Sequence, residues 1–175
     1  MTQKAHTFNH WSEAVHQLFR DYQISLVSFI PDGGLKGLIQ LCEQDEQINT
    51  VTLTTEEEGV ALSAGAFLGG ARSVLLMQSS GVGNCINMLS LPAICNMPFV
   101  TLITMRGEWG EFNPWQVPMG QATPAALEAM GVIVFRANTA DEVGLMTEAA
   151  MKLAFDSRQR VAILVSQRTI GIKKF

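Results

Sequence analysis

Charge is what this sequence has least of. Only 16% of its 175 residues are Asp, Glu, Lys or Arg, while 47% are apolar; soluble domains usually carry about 25% charged residues. So few charges cannot cover a monomer's whole surface, and a buried subunit interface is expected. Basic residues are the scarcer sign: 12 Lys and Arg against 16 Asp and Glu give a formal charge of -4. Without a basic face, nucleic acid and anionic membrane are excluded as partners. Cysteine is scarce and unpatterned as well. Cys42, Cys85 and Cys95 are odd in number, with no CxxC spacing and no paired histidines, which excludes a disulfide framework and a zinc site and indicates reduced, cytoplasmic thiols. Histidine occurs only as His6, His10 and His16, expected on a helix surface and not as acids or ligands. The opening MTQKAHTFNHWSEAV lacks an apolar segment of signal-peptide length, so no export is expected.

Ser73 to Met105 contains no charged residue, a length that would suit a membrane span. Gln78, Asn84, Asn87, Asn96, Pro92 and Pro98 interrupt it, however, and lipid does not tolerate that many amides and turns. The stretch reads as buried protein interior.

Short β-branched runs alternate with amphipathic stretches. Trp11, Val15, Leu18, Phe19 and Tyr22 fall at helical spacing, and ISLVSFI at 24–30 reads as a strand. After a turn at Pro31-Asp32-Gly33-Gly34 come a helix from Leu35 to Glu43, a strand from Asn49 to Leu53, and a helix from Glu57 to Leu68 stopped by Gly69-Gly70. The strand SVLLMQ, a glycine turn, a helix starting near Asn84 and the strand FVTLIT at 99–104 follow. Arg106 to Gln121 has no period and is expected to be a lid or interface loop. Ala125 to Met130 reads as helix, VIVF at 132–135 as strand, Thr139 to Glu142 as a capping box opening a helix to Phe155, and VAILV at 161–165 as the last strand. The expected fold is three-layer, doubly wound α/β: six strands in a mostly parallel sheet covered on both faces, with ligands at the carboxyl ends of the strands. Residues 1–175 are expected to form one domain.

Three segments that each follow a strand could carry chemistry. PDGG at 31–34 is either a strand-to-helix turn or a ligand contact. Glu56-Glu57-Glu58 open a helix, where the macrodipole favours carboxylates. The residues that follow, Gly59, Ala61, Ser63, Ala64, Gly65 and Ala66, leave almost no solvating surface, which directs at least one carboxylate into a dry site. Ser79-Ser80-Gly81-Val82-Gly83-Asn84 contains a GxG that suits either an anion site or a tight turn.

In this order and spacing, the segments resemble the pyrimidine-binding (PYR) domain of thiamine-diphosphate enzymes. EEEGVALSAGAFLGGARSVLLMQSSGVGNCINMLSL is most similar to the phosphonopyruvate and sulfopyruvate decarboxylases, and PDG at 31–33 with TMRGEWGE at 104–111 extends the resemblance over nearly the whole chain. Glu56, Gly59, Ala64 and Gly65 match the family pattern of a glutamate, two residues, a small residue and a later alanine-glycine pair. Ser80, Gly81, Gly83 and Asn87 match its SG-x-G-x-x-x-N turn. The resemblance implies that Glu56 is the catalytic, cofactor-binding acid, sharing a proton with the 1′ nitrogen of the pyrimidine, and that Ser80, Gly81, Gly83 and Asn87 line the cofactor. A water-poor pocket raises a carboxyl's pKa toward that task, while the helix dipole opposes it.

The family's GDG-type metal motif is absent, so the resemblance implies a separate β subunit whose diphosphate-binding (PP) domain holds the diphosphate and Mg2+. No metal ligand is expected on this chain. The implied assembly is a hetero-oligomer of αβ pairs, of higher order than one pair, decarboxylating a small 2-oxo acid. Alternatives are a carboligase on the same scaffold, a non-catalytic PYR partner, and a generic nucleotide-binding domain. The last lacks an acidic residue at dinucleotide spacing after the GxG. Asp32, Gly33, Gln78 and Arg106 are the candidate substrate contacts. Arg106 could hold an anionic tail or pair with Glu108 or Glu111, and Lys36 is a second candidate cation. Two departures bear on substrate: Gly33 stands where the family commonly has serine, and Trp115-Gln116-Val117-Pro118 stands where some relatives have a histidine.

Overall fold

A computed structural model describes residues 10–171. The elements in chain order are α1 (His10–Asp21), β1 (Ile24–Phe29), α2 (Lys36–Glu43), β2 (Asn49–Thr52), α3 (Glu56–Leu68), β3 (Arg72–Gln78), α4 (Ser79–Cys85), α5 (Ser90–Ile94), β4 (Phe99–Thr104), α6 (Val117–Ala129), β5 (Ile133–Ala137), α7 (Ala140–Ser157), β6 (Arg160–Val165) and α8 (Gln167–Ile170). The six strands form one sheet in the order β2-β1-β3-β4-β6-β5. Every pairing is parallel, so the expected mostly parallel sheet is parallel throughout.

Both faces of the sheet are apolar, as buried parallel strands require. Val74 and Leu76 of β3, Leu102 of β4 and Ile163 of β6 pack under α1, α2 and α7, where Trp11, Phe19, Leu38 and Met151 close one core. The alternate residues Leu75, Met77, Ile103 and Leu164 pack under α3, α4 and α6 with Val60, Val82 and Leu127. β4 is buried along its whole length, so the uncharged stretch forms interior sheet and its covering helices. Among the described residues no helix is long and apolar enough to cross a membrane.

Three expectations are corrected. The glycine turn before Asn84 does not exist: α4 starts at Ser79, directly after β3. Gly81 and Gly83 read as turn residues by propensity, but Gly81 packs so closely on α3 that a helix without a Cβ there is the better solution. The aperiodic segment is also shorter than expected. A 3-10 turn at Pro114–Gln116 runs into α6 at Val117. Pro118 lies in the first turn, where no intrahelical N–H is needed, but Pro124 sits inside the helix and hid its period. Finally, Thr139 makes no side-chain cap at α7; Glu142 instead accepts the backbone N–H of Asn138 at 2.6 Å. A complete capping box is found instead at α3, between Thr55 and Glu58, where Glu58 also accepts the N–H of Thr54 at 2.8 Å.

His16 is half-buried, and its Nε2 is 2.9 Å from Asp45, which also binds Arg20 at 2.6 Å. The three tie α1 to the turn after α2. His6 and the side chain of His10 lie outside the described residues, as does most of the opening segment considered for export.

Candidate functional site at the switch point

From β1 the chain crosses to β2 on one side, while β3 lies on the other, so the strand order reverses between β1 and β3. Crevices at the carboxyl ends of such strands are where doubly wound folds bind ligands. The loops leaving β1 and β3 here are Asp32-Gly33-Gly34 and the start of α4, and α3 enters beside them.

Glu56 is the first residue of α3 and is half-buried. Its side chain lies directly on Gly81 of α4: a Cβ added at Gly81 would fall within the Glu56 carboxyl, with Oε1 its nearest neighbour. The other oxygen, Oε2, accepts a hydrogen bond from Asn84 Nδ2 at 2.8 Å. Glu57, one residue on, buries Oε2 with no hydrogen-bond partner. Burial, followed by the charges of Glu56 and Glu57, pushes the Cys85 thiol up to about 12, which leaves it an inert core group. Gly83 is exposed, and a side chain there would meet the Met119 sulfur of α6. Asn87 is exposed in the turn after α4, and its side chain makes no hydrogen bond among the described residues.

A second cluster joins the ends of β1, β3 and β4. Asp32 Oδ2 accepts from Thr104 Oγ1 at 2.7 Å and from the Gly34 N–H at 3.0 Å, while Oδ1 accepts from Gln78 Nε2 at 2.9 Å. Gln78 is thereby oriented so that its Oε1 accepts from Ser80 Oγ at 2.9 Å. Asp32 thus ties three strand ends together. Gly33 is exposed at the turn. The structure therefore brings Glu56 to Gly81, and Asp32 and Gln78 to Ser80, with Ser80 and Gly81 adjacent at the start of α4.

Arg106 is placed differently. It is 7% exposed, and its Nε and Nη2 engage Glu111 at 2.6 and 2.5 Å, with Phe112 against the guanidinium. Arg106 with Nη2 and Nε committed has its fork taken up by Glu111, so the pairing alternative is the one observed. The Arg106 hydrogen bond, outweighing burial, holds Glu111 down to about 2. Gln167 fastens the same loop: its Oε1 accepts the N–H groups of Glu108 and Trp109, and its Nε2 donates to Glu111. Lys36 is exposed and makes no ion pair among the described residues. Asn84 is the residue that sequence reasoning missed. Its signal was the spacing of three from Gly81, which shares a helix face only once 79–85 is read as helix.

The fold has a counterpart among solved structures. It superposes with a TM-score of 0.75 on the 2-oxoglutarate:ferredoxin oxidoreductase from Magnetococcus marinus, at 16% identity over 93% of this chain. It corresponds to only 29% of that larger polypeptide. No protein-family model matches. Sequence relatives narrow the class. The chain is 36% identical over 155 residues to the sulfopyruvate decarboxylase subunit alpha of Methanococcus maripaludis, covering 88% of this chain and 93% of that one. It is 32% identical to the same subunit of Methanocaldococcus jannaschii, covering 87% and 91%. It also matches a sulfopyruvate decarboxylase of Methanosarcina acetivorans at 31% identity, spanning 39% of that protein. The chain belongs to the sulfopyruvate decarboxylase alpha-subunit family.

Proposed function

We propose that this chain is the pyrimidine-binding subunit of a thiamine-diphosphate-dependent decarboxylase acting on sulfopyruvate, or on the similar phosphonopyruvate, and yielding the aldehyde and carbon dioxide. The observation that carries this is Glu56: a half-buried carboxyl at the switch point, laid on Gly81 and held by Asn84. The residues fit the pyrimidine end of the cofactor. Gly81 leaves the carboxyl room that any Cβ would fill, and Gly83 and Asn87, farther along the same segment, are exposed.

Thiamine diphosphate, when bound, supplies the nucleophilic carbon that adds to the 2-oxo group and the electron sink for the departing carbon dioxide. Glu56 holds a proton at its carboxyl for the pyrimidine's 1′ nitrogen. Ser80 and Gly81 shape the wall of the pocket, and Asp32 and Gln78 fix Ser80 in place. The diphosphate and Mg2+ belong to a PP-domain β subunit. Among the described residues no group of three His, Cys, Asp or Glu side chains is arranged to hold a metal.

That partner docks on the layer formed by α3, α4, α5 and α6. α4 and α5 carry no charge, α6 carries only Glu128, and α3 is charged only in its first turn. Leu68, Ile94 and Trp115 are exposed there at 75%, 84% and 85%. The opposite layer of α1, α2 and α7 bears the ordinary mixture of charges. The Methanosarcina relative, of which this chain matches 39%, has the length for a second domain on one polypeptide. Residues 1–175 form one PYR-type domain on this reading, in a cytoplasmic hetero-oligomer of αβ pairs. The test mixes the purified chain with a candidate β subunit, thiamine diphosphate, Mg2+ and sulfopyruvate. Aldehyde formation by the mixture and not by either chain is expected; robust turnover by this chain alone refutes the divided site.

A further inference from the structure

On the reading of Glu56 as the proton-holding acid, its proton must sit on one defined oxygen. The geometry points to Asn84 as the positioning residue that selects this oxygen, engaging Glu56 through Oε2 and leaving Oε1, over Gly81, to carry the proton. Gly81 and Asn84 stand three apart on α4 and meet the same side chain of α3. One gives a floor without a Cβ, the other a donor at 2.8 Å. A carboxyl oxygen that already accepts an amide N–H cannot also carry a proton toward that amide without setting two hydrogens against each other. The neutral form therefore keeps its proton on Oε1.

The same bond fixes the orientation of the Glu56 carboxyl. The charged or titratable neighbours are few. Glu57 and Glu58 follow on α3, and Cys85 faces from α4. Of the other elements packed on α3, β1, β4 and α5 carry no titratable residue, and Arg72 begins β3 at the far end of that strand. Asn84 is thus the neutral donor among like charges, and removing it leaves Glu56 opposed only by carboxylates and the favourable end of its own helix dipole.

The experiment titrates Glu56 in the full chain by carbon-13 carboxyl resonance, with the signal identified by its loss in Glu56→Gln. Asn84 is exposed, so its substitution leaves the core intact. Asn84→Ala is expected to move the Glu56 titration to higher pH, and Asn84→Asp to move it further, because two carboxyls at hydrogen-bond distance share one proton. In the reconstituted complex Asn84→Ala should lower kcat about tenfold at little-changed KM and displace the kcat-pH profile in the same direction. A Glu56 titration and a profile that stay in place, with only the Tm altered, would overturn the inference. If Glu56→Gln leaves decarboxylation intact, the reading of Glu56 itself is wrong, and the titration still decides whether Asn84 holds its carboxyl.

Discussion

Three consecutive carboxylates open α3, and each meets a different environment. Glu56 is held by Asn84, Glu57 buries an oxygen without a partner, and Glu58 caps the backbone of Thr54. Their amide variants should therefore separate cleanly. Glu56→Gln is expected to cost about 100 to 10,000-fold in turnover by the reconstituted enzyme with little change in Tm. Glu58→Gln keeps an oxygen that can accept the N–H of Thr54 and should change Tm little, whereas Glu58→Ala removes the cap and should cost about 1 kcal/mol. Glu57→Gln should leave turnover within a few-fold of wild type. Gly81→Ala tests the same site from the other side. Its methyl must displace Glu56, so activity should fall as far as in Glu56→Gln while the chain stays folded. Near-normal activity in Gly81→Ala would mean that Glu56 does not work from the position seen here. The cysteines give a further check at this scale. Burial pushes Cys42 and Cys85 up to about 12, whereas Cys95 is exposed. One thiol should react promptly with a disulfide reagent in the native chain, and three after denaturation.

Among the elements, the segment between β4 and α6 shows how Arg106 is engaged. It is held by a buried ion pair, with Arg106 and Glu111 side chains 8% and 3% exposed, and by Gln167 from α8. Arg106→Leu leaves Glu111 buried and unpaired, and breaking such a pair typically costs about 3 to 5 kcal/mol. The expected result is a large fall in Tm with an equal loss of kcat/KM for sulfopyruvate, pyruvate and an apolar 2-oxo acid. A loss confined to the sulfonate would instead assign Arg106 to the substrate's tail. The pH dependence follows from the same pair. Glu111 is depressed from about 4.5 to about 2, so its stabilisation is complete above the ordinary carboxylate value and is lost as pH falls toward 2. Acid unfolding followed by circular dichroism should be less steep over that window in Glu111→Gln, which has no proton to take up.

At the scale of the whole molecule, one layer is charged and the other nearly free of charge. Cys95 follows Ile94, an 84%-exposed side chain at the end of α5 in the uncharged layer. If the proposed β subunit is the partner, alkylation of Cys95 should slow when it binds and return to the free rate when the complex is dissociated. Unchanged reactivity in the complex would place the partner elsewhere. Replacing Leu68 or Ile94 by Lys should weaken the complex while leaving the Tm of the free chain nearly unchanged, because neither side chain packs into a core.

The sequence by itself determined the layered parallel sheet, because the apolar runs at 24–30, 73–78, 99–104 and 161–165 are buried on both faces and need helices above and below. It also singled out Glu56 and Gly81, since a carboxylate before a run of small residues and a glycine after a strand are visible as residue types in order. It could not show that 79–85 is helix. That depended on the fit of Gly81 under Glu56, a contact between residues 25 apart, which local propensity does not contain. Asn84 was hidden for the same reason, and α6 because Pro118 and Pro124 masked its period. Arg106 shows the limit most plainly: as a residue type it suits a substrate anion or a carboxylate partner equally, and only the folded loop brought Glu111 close enough to take its guanidinium out of water.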